Sequence, residues 1–476
     1  MFNNDRAKKP VMFDASRDEI VGGSIPRVLL VLAGPLVAQN FALVVQEVID
    51  LFWVGRLGGT AVAAVGLAAV IVALLYVPFM MLFTGTQVVT SQRVGADETA
   101  LARKTPFTAA VLALGIALVF GVAVLLSADR VAALFTDDPA VAAGTASYLV
   151  GYAFALVTGG LSDSLEGGLA GWGDTRAALY VNLVAIAVNL VADPLLILGW
   201  GPVPRLEVFG AGLATAIGYG AGALFALVLI GRGRQRLTVT RRAVRPHLAT
   251  AREVLRVGAP VAGQNAARQV ARLGMIAVVS LVGGPAALAA YHVGSRVATV
   301  AFVPAQGIGG AATSVVGQNL GADNPDRARR ATWLGVAIAA AGLAVLGVLQ
   351  WFVPGPIARL FVPDMTGLAL NYSVLYLQIL AVGYPALGVI YAVEAGFNGA
   401  GKTDVSMYST LAQYWAVRLP VALGGVFVLD AGIAAVFWAV TFSNVVAAVW
   451  LAALFAYSSG EGMLDRAAGE TTGATG

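Results

Sequence analysis

Residues 28–49 read VLLVLAGPLVAQNFALVVQEVI. No charged side chain interrupts the run before Glu47. A predominantly apolar stretch of about 18 or more residues is long enough to cross a bilayer as a helix. Runs of the same kind recur at 62–88, 107–126, 181–198 and 333–353. They are continuous rather than alternating, which argues against a transmembrane barrel. A backbone in lipid must satisfy its own polar groups, so spans of this type are helices. The composition agrees. Of the 476 residues 58% are hydrophobic and 12% charged, against roughly a quarter charged in soluble domains.

Twelve segments are expected at about 28–54, 62–91, 106–127, 141–169, 177–200, 209–231, 254–280, 285–315, 330–353, 368–397, 404–428 and 430–457. The organisation that follows is an N-terminal segment at 1–27, an N-lobe at 28–231, a basic linker at 232–253, a C-lobe at 254–457 and a disordered tail at 458–476. Residues 1–26 are polar and of mixed charge, which is not the pattern of a cleavable signal. The linker carries Arg232, Arg234, Arg236, Arg241, Arg242, Arg245 and Arg252, and two further loops carry Arg93, Arg103 and Lys104, and Arg327, Arg329 and Arg330. Basic loops stay in the cytoplasm, so both termini are expected there, with the chain multi-pass in the plasma membrane. The net charge of +4 reflects that bias, and no nucleic-acid partner is expected.

The chain repeats itself. Pro35, Gln39 and Asn40 recur as Pro260, Gln264 and Asn265, and Gly58-Gly59 as Gly283-Gly284. Val94-Gly95-Ala96-Asp97 recurs as Leu320-Gly321-Ala322-Asp323. Glu166 through Gly173-Asp174-Thr175 recurs as Glu394 through Gly401-Lys402-Thr403. Six helices per half return the chain to its starting side, so the halves are related by a pseudo-two-fold along the membrane normal. The fold class is therefore all-α integral membrane, twelve helices in two parallel repeats, with substrate in the cleft between them.

Ionisable residues at bilayer depth cost roughly 2.5–3.5 kcal/mol each on insertion scales and are functional candidates by default. Helix 1 carries Gln39, Gln46 and Asp50, and helix 5 carries Asn182, Asn189 and Asp193, both at spacings of 7 and 11. Each set shares one face. Sodium wants several hard oxygens, and a proton wants a buried carboxylate; either reading uses Asp50 and Asp193. The bland alternative for Asp193 is a cap near Pro194. Glu47 lies one turn from Asp50, and helix 4 places Tyr148 and Glu166 at one angle with Asp163 about 60° away. In the second half Asn265, Arg268, Gln269 and Arg272 form one stripe, and Tyr391, Glu394 and Asn398 another. Arg296 and Arg418 add further charge. A buried arginine needs a partner, and Glu394 is the expected partner of one of them in a structural ion pair. Gln39, Gln46, Glu47, Glu166, Gln264, Arg268, Tyr391 and Glu394 are the candidates to line a substrate cavity.

The motifs Asp50-Leu51-Phe52-Trp53-Val54-Gly55-Arg56-Leu57-Gly58, Gly171-Trp172-Gly173-Asp174-Thr175-Arg176, Val188-Asn189-Leu190-Val191-Ala192-Asp193-Pro194 and Val316-Gly317-Gln318-Asn319-Leu320-Gly321-Ala322 resemble the multidrug and toxic compound extrusion (MATE) family. The resemblance covers nearly the whole chain. It implies efflux of organic cations and other amphiphiles in exchange for Na⁺ or H⁺. It is similar to the archaeal-type branch, which has an Asp on helix 1 and an Asn/Asp pair on helix 5. That branch implies a Tyr on helix 4 and a Thr on helix 6 beside them, here Tyr148 and Thr215. The acid on helix 7 that some branches of the family keep has no counterpart in 258–282, which moves the expected cation coupling to the first half.

The expectation is thus a monomeric transporter in a lipid bilayer, moving a small molecule, with no cofactor beyond the coupling ion and no metal beyond Na⁺ at Asp50 and Asp193. The alternative is a lipid-linked oligosaccharide flippase of the same superfamily, to which the second-half arginines point. An enzyme is not expected: two histidines and no cysteine supply neither a ligand set nor a thiol nucleophile.

Overall fold

The computed structural model describes residues 16–233 and 244–473, with side chains to residue 470, and every regular element among them is a helix. In chain order they are α1 (Arg17–Gly22), α2 (Ile25–Gly55), α3 (Gly59–Leu75), α4 (Val77–Gly95), α5 (Thr99–Ala133), α6 (Pro139–Trp172), α7 (Thr175–Leu198) and α8 (Glu207–Gly231). The second half holds α9 (Leu248–Gly321), α10 (Pro325–Phe352), α11 (Pro354–Phe361), α12 (Gly367–Gly399), α13 (Thr403–Leu411), a π-helix (Ala412–Arg418), α14 (Leu419–Phe427), α15 (Gly432–Gly460) and α16 (Met463–Gly473).

Among the described residues nine helices are each long and apolar enough to cross a bilayer, and α3 with α4, bent by 45°, makes a tenth. At 74 residues α9 would span about 110 Å if straight, far beyond the roughly 30 Å of hydrocarbon. It is two spans. Gly284 has φ 59° and ψ −156°, a conformation open essentially to glycine alone. The two ends of α9 both return to one turn of α4, where Gly85 packs on the Val254 carbonyl and Gln87 bonds Ser314. The broken helix α13, π-helix and α14 completes twelve spans in two six-helix repeats. Pro35 lies inside α2 and Pro260 inside the first span of α9.

The repeated motifs are the turns between spans. Gly173 and Gly401 end α6 and α12 at φ 90° and 72°, the left-handed C-cap that glycine adopts without strain. Asp97 and Asp323 follow α4 and α9 at φ 61° and 57°. These two helix ends cross so closely that a Cβ on Gly95 would lie 2.1 Å from the Gln318 carbonyl oxygen. One on Gly321 would lie 1.9 Å from that of Gln92. The crossing lies on the face that carries Arg93, Arg103 and Arg327, here called the basic face. There the lobes are sealed by side-chain amides and a hydroxyl. Gln92 Nε2 donates to the Gly399 carbonyl at 2.9 Å, Gln318 Nε2 to Gly171 at 3.0 Å and Ser314 Oγ to Ala170 at 2.8 Å. α1 spans the same seam: Arg17 donates to Val94 and Gly95 of the N-lobe, and Arg327 of the C-lobe donates to Ile20 and Gly23. Along the spans, exposed leucines and valines such as Leu118, Val119 and Leu126 form the surface that lipid covers.

Several expectations are corrected. Where a disordered tail was expected, the described part of 458–473 is largely helical: α15 runs to Gly460, and α16 buries Met463, Leu464, Ala467 and Ala468 against the C-lobe core. Those four positions fall on one helical face, which the Gly- and Thr-rich composition hid. The linker is shorter than 232–253, because α9 begins at Leu248. Arg234, Arg236, Arg241 and Arg242, the first 15 residues and residues 474–476 lie outside the described residues. The span at 62–91 is bent at Tyr76, and α11 lies between spans where no helix was expected.

Candidate functional site

Three helices of the N-lobe, α2, α6 and α7, each contribute polar groups to two separate tiers. Nearer the basic face, Glu166 is buried and accepts from Gln39 Nε2 at 2.6 Å and from Asn182 Nδ2. Farther from it, Gln46 Nε2 donates to Asn189 Oδ1 at 2.6 Å, and Asn189 Nδ2 lies 3.4 Å from Asp193 Oδ1. The Asp50 and Asp193 carboxyls are near enough to interact electrostatically. Tyr148 lies beside both and within reach of Thr215. All five residues expected to serve the cation are therefore in one place, with Gln46 added. The stripes of helices 1 and 5 divide between the tiers, because positions 7 residues apart stand two turns apart along the axis.

Asp50 Oδ1 and Asp193 Oδ2 are buried, and neither has a hydrogen-bond partner among the described residues. Two carboxylates this close repel unless a proton or a cation lies between them. Asp193 itself lies inside α7, whose last residue is Leu198 and whose C-cap is Gly199. A third acid, Asp163, accepts from Tyr76. That pair was missed in the sequence, because Tyr76 stands at the α3–α4 bend, where no periodicity projects its direction.

The C-lobe repeats the tier near the basic face and drops the other. Gln264 Nε2 donates to Glu394 Oε1 at 2.9 Å and to Thr410 Oγ1 at 2.8 Å. Gln264, Glu394 and Thr410 stand 225, 228 and 228 residues after Gln39, Glu166 and Asn182, so the triad is part of the duplication. Arg268 adds an ion pair, Nη2 to Glu394 Oε1 at 3.2 Å and Oε2 at 3.3 Å. The expected partner of Glu394 is thus Arg268. Tyr391 accepts from Gln306 at 3.5 Å, and Asn398 accepts from Ser406 at 2.9 Å. Gln46, Asp50 and Asp193 correspond to Ala271, Met275 and Val421 at the same offsets, so the C-lobe has no second carboxylate pair there. Glu47 does not join the Asp50 tier through a hydrogen bond. Its carboxylate faces Arg296 of the other lobe at 3.5 Å, both side chains 69% exposed.

Twelve spans in two lobes, sealed together at one face, with buried carboxylates inside one of them, define a membrane transporter. The sequence pattern of the MatE family matches residues 35–195 and 260–423, and the chain belongs to that family. A relative described as a probable multidrug resistance protein NorM, from Deinococcus radiodurans, is 30% identical over 433 residues, covering 86% of this chain and 90% of the relative. Another of the same description, from Rhodopseudomonas palustris, is 28% identical over 397 residues, 82% of each chain. Among solved structures, the outward-facing conformation of a multidrug resistance MATE family transporter superposes with a TM-score of 0.86 at 21% identity, covering 93% of this chain and 99% of that one. A MATE transporter in its bent conformation gives 0.87 at 21%, covering 96% and 99%.

Proposed function

We propose that the protein is a cation-coupled antiporter that exports amphiphilic drugs or metabolites from the cell. The observation that carries this is the Asp50–Asp193 pair, two buried carboxyls each with an oxygen lacking a donor, set in one lobe beside the cleft. The multidrug resistance description of the relatives supports the substrate class. With the basic face in the cytoplasm, the seam sealed at Gln92 and Gln318 supports reading this state as closed toward the cytoplasm. An external Na⁺ or H⁺ enters between Asp50 and Asp193, removes their repulsion and draws α2 toward α7. That displaces the equilibrium between the two facing states by the difference in cation affinity. One charge falling through 100 mV supplies about 2.3 kcal/mol, a gradient of roughly fifty-fold.

The test is ethidium transport in proteoliposomes with Na⁺ and pH gradients imposed separately. Asp50→Asn is expected to abolish gradient-driven transport while leaving passive dye binding in place. Export by Asp50→Asn at the wild-type rate under either gradient defeats the proposal.

A further inference from the structure

We infer that Glu166 is a second exchangeable cation site of the N-lobe, separate from the Asp50–Asp193 pair, taking H⁺ or Na⁺ in the place that Arg268 fills permanently in the C-lobe. Binding there stands apart from the antiport reading. Its consequence, two exchanged cations per cycle, rests on that reading.

The two lobes meet the same electrostatic demand in different ways. Each buries one glutamate near the basic face, Glu166 at 4% exposure and Glu394 at 6%. Each gives that glutamate an amide from its first span and a neutral donor from its fifth. Gln39 and Asn182 serve Glu166, and Gln264 and Thr410 serve Glu394. Neutral donors orient a buried carboxylate but leave its charge uncompensated, a state that is costly unless a cation or a proton joins it.

In the C-lobe the cation is built in. Arg268 Nη2 stands 3.2 and 3.3 Å from the two Glu394 oxygens. Arg268 lies one turn after Gln264 and so on the same face of its helix. The residue one turn after Gln39, 225 positions before Arg268, is Leu43. Leu43 is partly buried, as Arg268 is, and has no charge to offer. Among the described residues the ion pairs within 4.0 Å are those of Arg17, Arg93, Arg205, Arg268, Arg296 and Lys402, and none of them is with Glu166. One duplicated tier therefore occurs twice, once with a tethered cation and once without.

Gln39 carries a second sign of a ligand. It is 8% exposed, and its Oε1 is buried with no hydrogen-bond partner, although Nε2 of the same amide donates to Glu166 at 2.6 Å. A proton on Glu166 supplies the missing donor once the amide turns over, because either end of the group can face the carboxyl. A sodium ion instead takes Gln39 Oε1 and the carboxylate as hard oxygens. Both cations use the same atoms. The other titratable groups that face Glu166 are Asp163, one turn earlier on α6 and bonded to Tyr76, and Tyr219 of α8, near enough to interact electrostatically. Neither brings a positive charge. Gln39, Glu166 and Asn182 stand on α2, α6 and α7, so the site is complete only while these helices are together. Loss of the cation leaves an ionised carboxylate that water stabilises, which favours parting α2 from α6.

The test is infrared difference spectroscopy of the full chain in phosphatidylcholine nanodiscs, reading the C=O stretch of protonated carboxyls without any gradient. Subtracting the spectrum of Glu166→Gln isolates the Glu166 band from those of the other buried acids. Wild type in Na⁺-free buffer at low pH is expected to show that band and to lose it as the pH rises. Loss on adding Na⁺ at constant pH assigns the site to Na⁺ in exchange for the proton; indifference to Na⁺ assigns it to H⁺ alone. Leu43→Arg is expected to abolish the band at every pH. Arg268→Leu, which removes the tethered cation, is expected to add a second titrating band that Glu394→Gln takes away. A Glu166 band unmoved by both pH and Na⁺ is a fixed structural proton and overturns the proposal, as does the absence of any Glu166-dependent band. Arg268→Leu without a new band shows that the guanidinium is not the substitute cation and overturns it as well. Where Leu43→Arg does not fold, the Arg268→Leu arm decides the comparison between lobes. A responsive Glu166 band in a protein whose Asp50→Asn variant exports at the wild-type rate sinks the coupling reading and leaves this site standing.

Discussion

Glu394 is buried, and its two oxygens take donors from Arg268, Gln264 and Thr410. Arg268 is therefore more than a surface charge. Arg268→Ala leaves the carboxylate without its cation and is expected to cost about 1–3 kcal/mol, the lower part of the range because the guanidinium is partly exposed. Arg268→Leu combined with Glu394→Leu is expected to recover most of that loss. Thermal unfolding in detergent checks both, and a double variant no better than Arg268→Ala rules out the ion pair as the cause. The same residue-scale accounting separates Asp50 from Glu47. One carboxyl meets a second acid inside its lobe, whereas the other meets an arginine across the cleft.

At the scale of elements, the crossing of α4 with the second span of α9 holds the basic face shut. Gly95→Ala places a methyl on the Gln318 backbone and Gly321→Ala one on that of Gln92; backbone cannot rotate away, so the helices must part. The expected result is a longer distance between spin labels placed on α5 and α10 at the basic face. The chain has no cysteine, so labelling is confined to introduced thiols. An unchanged distance distribution in both variants removes the crossing as the seal. The terminal element gives a second test. Deletion after Gly460 strips the C-lobe of Met463 and Leu464, and is expected to lower its stability by about 3 kcal/mol, the transfer value of two such side chains. A truncated protein melting with wild type would mean that α16 does not stabilise the lobe.

For the whole molecule, Glu47 and Arg296 link the lobes away from the basic face. Both are largely exposed, and such pairs are worth about 0–1 kcal/mol. Arg296→Glu is therefore expected to change the populations of the facing states by no more than about fivefold, read from interlobe spin-label distances. A complete shift to one state would show that the pair governs the cycle. High salt is expected to mimic the variant, since exposed charges are screened within roughly 10 Å at 0.1 M.

Twelve spans, two repeats and the identity of most polar candidates were legible in the sequence. Hydropathy and periodicity are local properties, and lipid forbids any spanning structure but a helix for such runs. The repeated prolines, amides and Gly-Asp turns carried the duplication for the same reason: backbone geometry at a turn depends on the residues of the turn. What the tertiary structure decided is which polar groups meet. Helix 1 and helix 5 each presented one stripe with members two turns apart, and packing decided which of them meet each other and which meet Glu166 of helix 4. Tyr76 reached Asp163 through a bend that no pattern announces. Arg418 acquired Ser443 and Asn444 as partners from the next span, α15, 25 and 26 residues on. Pairing between helices is set by crossing and rotation, which depend on the side chains of both partners at once, and a single segment does not contain that information.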